Sequence, residues 1–179
     1  MGDVSFGIEL SAVGGGSNTA NLIYNNVIYH VAGIGIRHYV YGTNNKIYNN
    51  IIYYNSDYET SPADAMVVVD NTWNSGTLYK TNLILFRDWS TLADVPGKVT
   101  IALNYTGTYY SVANANTNWS TYFQGNITSN PSFLNETLRE FHIVSTSAAK
   151  DAGTSLTDTT WGTLAFNGAA PDIGAFEYY

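Results

Sequence analysis

A nine-residue pattern occurs twice in this chain, 24 residues apart. Residues 21–29 read Asn-Leu-Ile-Tyr-Asn-Asn-Val-Ile-Tyr, and residues 45–53 read Asn-Lys-Ile-Tyr-Asn-Asn-Ile-Ile-Tyr. A third, more diverged copy, Leu-Tyr-Lys-Thr-Asn-Leu-Ile-Leu-Phe, occupies residues 78–86. Two short β-type runs hinged on asparagine, returning at a fixed period of this length, are typical of a solenoid whose turns stack in register. The repeat therefore predicts an all-β fold, a single-stranded parallel β-helix.

One asparagine in each copy precedes an aliphatic pair: Asn26, Asn50 and Asn82. Asparagine tolerates left-handed backbone conformations, and its amide can bond the same amide in the next turn of a solenoid. The alternative is three ordinary turn asparagines, which would not require the matching apolar context on both sides. We therefore expect an inward asparagine ladder with an architectural role.

The chain is expected to form one domain, residues 1–179, because its length is ordinary for one domain. Repeating turns should cover 4–103, a long connection 104–125, and a C-terminal closing region 126–179. The apolar runs have strand length, and no segment sustains a period of 3.6 residues, so no helix is predicted. The predicted strands or strand pairs are 4–10, 21–31, 34–40, 45–54, 65–69, 77–86 and 99–103.

Composition narrows the function classes. The net charge is −7 with only 7 Lys and Arg, which argues against nucleic-acid binding because that needs a basic footprint. Only 12% of residues are charged while 15% are aromatic, and such surfaces suit sugars, whose ring faces stack on aromatic side chains. No run approaches the ~20 apolar residues of a membrane span. We expect a polysaccharide partner, no nucleic acid and no membrane span.

Ionisable residues gather on the strand 4–10 and on the loop 55–64. If 34–40 is the equivalent of strand 4–10, Arg37 lies beside Glu9 on the outer surface, with Asp57 and Asp64 on the neighbouring loop. A glycoside hydrolase needs two carboxyl groups about 5 to 9.5 Å apart. A polyuronate lyase instead needs a cation to neutralise the sugar carboxylate and a base.

These residues define the candidate catalytic set Glu9, Arg37, Asp57 and Asp64. In a lyase, Arg37 would neutralise the sugar, with Asp57 and Asp64 as candidate calcium ligands. No other cofactor is expected, and the identity of any metal stays open. The alternative is that Glu9 and Arg37 form an ordinary surface ion pair between strands.

A candidate substrate-binding shelf comes from two loops that should stack on each other. Setting Ile52 over Ile84 brings Asp57-Tyr58 close to Asp88-Trp89 on adjacent turns. Strand spacing of ~4.8 Å is comparable to one sugar unit, so Tyr58, Asp88 and Trp89 are expected to bind a glycan. The alternative is that the aspartates cap turns and the rings pack on the flank.

The three histidines are expected to be structural. His30 ends a strand at an aromatic position, His38 points inward by alternation, and His142 lies in a short C-terminal strand. Their separation in sequence shows no metal-ligand spacing.

Three segments of the C-terminal third carry a resemblance to a known family. They are 126–135, 140–154 and 171–178, the last reading Pro-Asp-Ile-Gly-Ala-Phe-Glu-Tyr. In order and spacing they resemble the end of bacterial right-handed parallel β-helix proteins of the pectate-lyase-like superfamily. The proline that commonly follows the serine of this ending is missing after Ser147, although Asp151-Ala-Gly153 is retained.

The resemblance implies a right-handed β-helix and an extracellular or cell-surface, polysaccharide-active protein, but it carries over no catalytic residue. In its context Asp151, Asp172 and Glu177 are interpreted as turn and closure residues rather than as an acid site. The closing segments are expected to cover one end of the solenoid. No signal peptide or cap precedes Val4, so we expect either a shortened form of a longer protein or self-association through the first turn.

Two functional hypotheses follow. The favoured one is an enzyme that cleaves glycosidic bonds of an extracellular polysaccharide by hydrolysis or β-elimination. The alternative is a non-catalytic glycan-binding or surface-adhesion module. Its key residues would be Tyr58, Trp89, Tyr109, Tyr110 and Trp119.

Overall fold

The computed structural model describes nine stretches of the chain: residues 6–11, 18–31, 33–39, 42–53, 67–69, 76–85, 101–103, 108–158 and 162–179. These stretches form short β-strands and one helix. The first half contains β1 Phe6–Ser11, β2 Asn18–Thr19, β3 Leu22–Tyr24, β4 Val27–Tyr29, β5 Ile34–Tyr39, β6 Gly42–Thr43, β7 Lys46–Tyr48, β8 Ile51–Tyr53, β9 Val67–Val69, β10 Leu78–Lys80 and β11 Leu83–Leu85. The second half contains β12 Ile101–Leu103, β13 Thr108–Tyr110, α1 Val112–Asn118, β14 Phe123–Gln124, β15 Phe133–Asn135, β16 Glu140–Ile143, β17 Thr157–Asp158 and β18 Gly162–Thr163.

Three sheets run through the repeats. Their strand orders are β1-β5-β9-β12-β13, β3-β7-β10-β14 and β4-β8-β11. Neighbouring strands come from successive copies of the repeat and pair in parallel, except for β13, which joins β12 antiparallel. The register aligns equivalent positions, as in Ile28, Ile52 and Ile84. The chain is therefore mostly parallel β-structure with one short helix, and every predicted strand has a counterpart.

The predicted asparagine ladder is confirmed. The main-chain N–H and the Nδ2 of Asn26 both donate to Oδ1 of Asn50, at 3.0 and 2.9 Å. Asn50 donates to Oδ1 of Asn82 in the same way, again at 3.0 and 2.9 Å. Each amide thus satisfies a main-chain donor that would otherwise be buried without a partner.

The ladder extends beyond the predicted repeats. Asn82 donates to Oδ1 of Asn126 at 3.0 and 2.8 Å, and Asn126 donates to Oδ1 of Asn116 at 3.2 and 3.1 Å. β14 pairs with β10, and Gly125 has a φ of +59°, where Asn49 in the second copy has +55°. A fourth copy of the repeat therefore occupies residues 123–127, across the boundary predicted at 125.

The predicted all-β fold gains one short helix, α1, which lies within the predicted long connection 104–125. Ser111 caps it by accepting a hydrogen bond from the main-chain N–H of Asn114 at 3.2 Å. Seven residues are fewer than two turns, too short to show a 3.6-residue period in sequence. Val112 and Ala115 are buried in the core, so packing stabilises the helix. Because Asn116 binds the last ladder asparagine, α1 covers this end of the repeats.

The core has two parts, one on each face of sheet β4-β8-β11. The inner cluster comprises Leu10, Ile28, Ile36, Ile47, Ile52, Val67, Tyr79, Ile84, Val112, Ala115 and Phe123. The outer cluster comprises Ile51, Tyr53, Leu83, Leu85, Phe133, Ile143, Ala149 and Ile173. The C-terminal region therefore covers the outward face of this sheet, rather than only an end of the repeats as expected. Burial on both faces explains the near-continuous apolar strands.

One turn asparagine fastens the C-terminal region to the repeats. Oδ1 of Asn49 accepts hydrogen bonds from the main-chain N–H of Thr154 at 2.9 Å and from the hydroxyl of Thr81 at 2.7 Å. Its Nδ2 donates to the carbonyl of Thr154 at 2.9 Å, and its own carbonyl accepts from Gly174 N–H at 2.8 Å. Contacts more than 100 residues apart in sequence thus fix this segment.

Candidate functional site

Glu9 and Arg37 form an ion pair on the outward face of sheet β1-β5-β9. The two residues are register partners on β1 and β5, and Arg37 Nη1 lies 3.1 Å from Glu9 Oε1. The flanking residues Leu10, Ile36 and His38 are buried, so the alternation of a strand turns the pair outward. The predicted juxtaposition is confirmed.

The pair is only partly covered. The Glu9 side chain is 33% exposed and that of Arg37 18%. An ion pair with this exposure contributes at most about 1 kcal/mol to stability. The charged ends of the two side chains are therefore accessible in part to a ligand.

The pair offers complementary chemistry to a polar ligand. A carboxylate accepts hydrogen bonds from sugar hydroxyls, and a guanidinium donates two parallel N–H groups to a carboxylate. The register partner of Arg37 on the next strand is Val68, which supplies no second carboxyl group on this row. A hydrolase would therefore need an acid from a neighbouring loop.

Five of the predicted site residues lie outside the described stretches: Asp57, Tyr58, Asp64, Asp88 and Trp89. The acid-aromatic shelf and the candidate calcium ligands therefore stay predictions.

The aromatic residues of the alternative hypothesis are partly described. Trp119 ends α1, is half-buried and packs against the inner core cluster, with its ring 6.4 Å from that of Tyr122. Packing of this kind gives Trp119 a structural role. Tyr109 and Tyr110 lie on β13, which pairs with β12.

The acids of the C-terminal ending are turn and closure residues, as expected. Buried Asp172 accepts hydrogen bonds from the main-chain N–H of Asp151 at 2.6 Å and of Tyr178 at 2.5 Å. Asp151 Oδ1 accepts from Ala169 N–H at 2.7 Å. Glu177 Oε1 accepts from Asp172 N–H at 3.2 Å. Burial raises the pKa of Glu177, and its repulsion from Asp172 adds to the rise.

His38 is buried, as the alternation predicted, and holds a defined hydrogen bond. Oδ1 of Asn45 accepts from the main-chain N–H of Asn21 at 2.8 Å, so the other amide atom of Asn45 is the nitrogen. That Nδ2 lies 3.1 Å from His38 Nε2, which must therefore accept.

Two of the surface pockets formed by described residues are of interest, and the sequence predicted neither. The larger, of about 430 Å³, lies in the C-terminal region and includes Leu134, His142, Glu177 and Tyr178 in its lining. There His142 hydrogen-bonds Glu140, which lowers the pKa of that carboxyl group.

The smaller pocket, which we call the flank pocket, is lined by Val27, Tyr29, His30, Arg139 and Phe141. Its volume is about 220 Å³. The two groups of residues that line the flank pocket are more than 100 positions apart in sequence, so no local motif predicts the pocket.

No metal site emerges from the described residues, because nowhere among them do three His, Asp or Glu side chains come together. Within the same stretches, no helix has the length and apolar character needed to cross a membrane.

Comparison with known proteins adds no relative. No family model, curated protein or solved structure matches this chain.

Proposed function

We propose that the protein acts on an extracellular polysaccharide, and that the outward face of sheet β1-β5-β9 is where the glycan binds. The observation that carries this proposal is the Glu9–Arg37 pair, held at 3.1 Å with both side chains partly exposed. The acidic, aromatic-rich composition supports a sugar ligand over a nucleic acid. We also propose an extracellular or cell-surface location, because the C-terminal segments resemble the ending of proteins that are mostly found there.

We further propose that the three sheets are the faces of a right-handed parallel β-helix. The parallel register of equivalent residues and the ladder from Asn26 to Asn126 support this winding. So does the resemblance of residues 126–178 to the ending of pectate-lyase-like proteins. An experimental structure with left-handed or crossed connections between the repeats would overturn it.

The favoured activity is cleavage of glycosidic bonds. In β-elimination, Arg37 pairs with the sugar carboxylate and Glu9 takes the proton from the adjacent ring carbon. The electron pair then forms a carbon–carbon double bond as the glycosidic C–O bond breaks, and the leaving oxygen takes a proton from water. In hydrolysis, Glu9 would act with a second carboxyl group from Asp57 or Asp64. Calcium binding by those two aspartates would accompany the lyase reaction.

The competing function is glycan binding without cleavage. It is favoured by one observation, that the Glu9 carboxylate is already engaged by Arg37 and so is not poised as a free base. In that case the pair orients sugar hydroxyls, and the ring stacking would come from Tyr58 and Trp89.

The test is incubation with a panel of neutral and acidic polysaccharides, with and without calcium. Reducing ends and the ultraviolet absorbance of unsaturated uronates are followed together. Both signals together would identify a lyase, and reducing ends alone would identify a hydrolase. Binding without either signal would identify a non-catalytic glycan-binding module. The absence of binding and cleavage on every glycan would contradict the proposed function.

Variants then locate the activity. We expect Arg37→Gln to abolish cleavage or binding of the responsive glycan, because it removes the guanidinium from the pair. Lys46→Gln is the matched control, since Lys46 is an exposed cation on a different sheet. Equal activity of the two variants would exclude this face as the site.

Self-association is a further proposal about partners. Within the described stretches, β1, β3 and β4 each stand at one edge of their sheets. Edge strands present unpaired N–H and C=O groups that pair readily with another chain. Light scattering after size-exclusion chromatography, over a range of protein concentrations, tests it; a monomer throughout would contradict it.

A further inference from the structure

The flank pocket brings together a strand of the first repeat and the C-terminal hairpin, which is formed by the antiparallel pair β15-β16. Tyr29 and His30 come from β4 and its end, while Arg139 and Phe141 come from the turn before β16 and from β16 itself. The pocket opens beside the covered face of sheet β4-β8-β11, separate from the outward face that bears Glu9.

The floor of the pocket is a fixed set of aromatic rings. The ring centroids of Tyr29 and Phe141 lie 5.0 Å apart, and Phe141 meets Phe133 edge to face at 5.1 Å. The ring centroid of buried Tyr53, in the outer cluster, lies 5.9 Å from that of Tyr29. Mutual contacts of this kind fix ring orientation, so the half-buried Tyr29 and Phe141 present apolar edges and faces to a ligand.

The rim of the pocket is basic in an acidic protein. The net charge of the chain is −7, yet the described residues that line this pocket include Arg139 and His30 and no carboxylate. Arg37 is held by Glu9 and Lys150 lies over the ring of Tyr178 at 4.4 Å. Among the residues that the structure describes, the exposed Arg139 guanidinium is engaged in no ion pair.

Both basic residues adopt a left-handed backbone conformation, which histidine tolerates and arginine adopts rarely. His30 and Arg139 each have a φ of +57°. Glycine, asparagine, aspartate and histidine are the usual choices there, and Asn25 and Asn49 fill such positions in two repeat turns. Other turns of this chain share this conformation, so the feature that distinguishes the pocket is the arginine cation placed at such a turn.

We propose that the flank pocket binds a single sugar ring that bears an anionic group, a carboxylate or a sulfate. Arg139 donates its planar N–H groups to the anion, His30 provides a second polar contact, and the apolar ring face lies on Tyr29 and Phe141. A volume of about 220 Å³ is below that of pockets for drug-sized ligands, which suits one ring rather than an oligomer. The choice of a sugar rests on the proposed function, whereas the preference for an anion rests on the pocket alone.

The test is nuclear magnetic resonance titration of the ¹⁵N-labelled protein with galacturonate, galactose 6-sulfate and galactose. We expect shifts of the amide signals of residues 27–31 and 139–141 with one or both anionic sugars, and at least tenfold weaker binding of galactose. Comparing the galacturonate and galactose 6-sulfate titrations shows whether the pocket prefers a carboxylate or a sulfate. Equal affinity for galactose, or shifts confined to other residues, would overturn the proposal.

Three variants sharpen the test. Arg139→Asn removes the cation but suits a positive φ, so we expect anion binding to fall at least tenfold with an unchanged or raised melting temperature. Arg139→Lys should retain part of the affinity, and Lys150→Gln all of it. Unchanged binding by Arg139→Asn would contradict the proposal.

The Glu9→Gln protein separates this proposal from the proposed function. We expect it to bind the anionic sugar normally in the flank pocket, even where it has lost activity on the polysaccharide. Activity that depends on Glu9 without anion binding at the flank would refute only the pocket. Anion binding without any effect on a polysaccharide would refute only the proposed function.

Discussion

Sheets β4-β8-β11 and β1-β5-β9 differ in whether their outward faces are buried. In sheet β4-β8-β11 the outward residues Tyr53, Leu83 and Leu85 are buried beneath the C-terminal region. In sheet β1-β5-β9 the outward row instead carries Glu9 and Arg37, both partly exposed. The outward face of β4-β8-β11 is therefore sealed by the C-terminal region and belongs to the core. The outward face of β1-β5-β9 instead carries an ion pair that contributes little to stability.

The pattern of apolar residues in the sequence indicates this difference in burial. The strand Ile51–Tyr53 is apolar at every position, which indicates burial on both faces, whereas Ile34–Tyr39 alternates. Function is accordingly expected on the alternating strands and structure on the continuous ones.

The sealed face should be the most sensitive to truncation. Tyr53→Ala removes a fully buried ring that contacts Tyr29 and Phe133, and we expect the free energy of unfolding to fall by about 3–5 kcal/mol. Tyr48→Ala is the matched control, since Tyr48 is only partly buried on β7 and should cost clearly less. Urea denaturation measures both, and equal losses would contradict the assignment of Tyr53 to a sealed core.

The asparagine ladder, which lies where sheet β3-β7-β10-β14 turns into sheet β4-β8-β11, should be nearly as sensitive. Asn50 accepts two hydrogen bonds from Asn26 and donates to Asn82 and to two main-chain carbonyls. Asn50→Ala leaves several buried groups unsatisfied, so we expect a loss of about 3 kcal/mol.

Asn114→Ala serves as the control for the ladder, because Asn114 is exposed on α1 and its replacement should change stability by less than about 0.5 kcal/mol. Thermal or urea unfolding that ranks the two asparagine variants equally would refute the ladder.

A smaller effect of opposite sign is expected at Tyr79 in the inner core. Its ring stacks on Phe123 at 5.0 Å, while its hydroxyl is buried with no hydrogen-bond partner among the described residues, and burial raises its pKa. Tyr79→Phe removes a desolvated polar group, so we expect stability to rise by about 1 kcal/mol. A decrease would mean that the hydroxyl has a partner.

The smallest effect concerns pH and the closing segment. Burial raises the pKa of Glu177 in the folded state, so folding disfavours its charged form. Its ionisation therefore costs stability at neutral pH, and that cost is relieved as the pH falls through its folded-state pKa towards the ordinary value of 4.5. Glu177→Gln should gain stability over the parent protein at pH 7, with the gain shrinking towards pH 4. A gain that does not depend on pH would contradict the assignment.

Much of the fold could be predicted from the sequence, because aligning the copies of the repeat shows which residues pair on neighbouring strands. Aligning Asn26 with Asn50 and Asn82 fixed the strands, and aligning 4–10 with 34–40 placed Glu9 beside Arg37. Period and alternation are local signals, and the parallel pairing follows from them directly.

The parts that escaped prediction depend on contacts or on weak copies of the pattern. The fourth copy reads Phe-Gln-Gly-Asn-Ile at 123–127, which keeps only the glycine or asparagine turn and the ladder Asn126. The flank pocket requires His30 to meet Arg139, and no pattern in one sequence links positions so far apart.

The most direct measurement compares turnover and affinity of the parent protein and Glu9→Gln on the responsive polysaccharide, beside their unfolding midpoints. Because the ion pair contributes little to stability, we expect the midpoints to agree closely while turnover falls by about 10²–10⁴-fold. For a binding module, affinity should fall instead. Unchanged turnover and affinity with intact folding would contradict the claim that this face is where the protein meets its glycan.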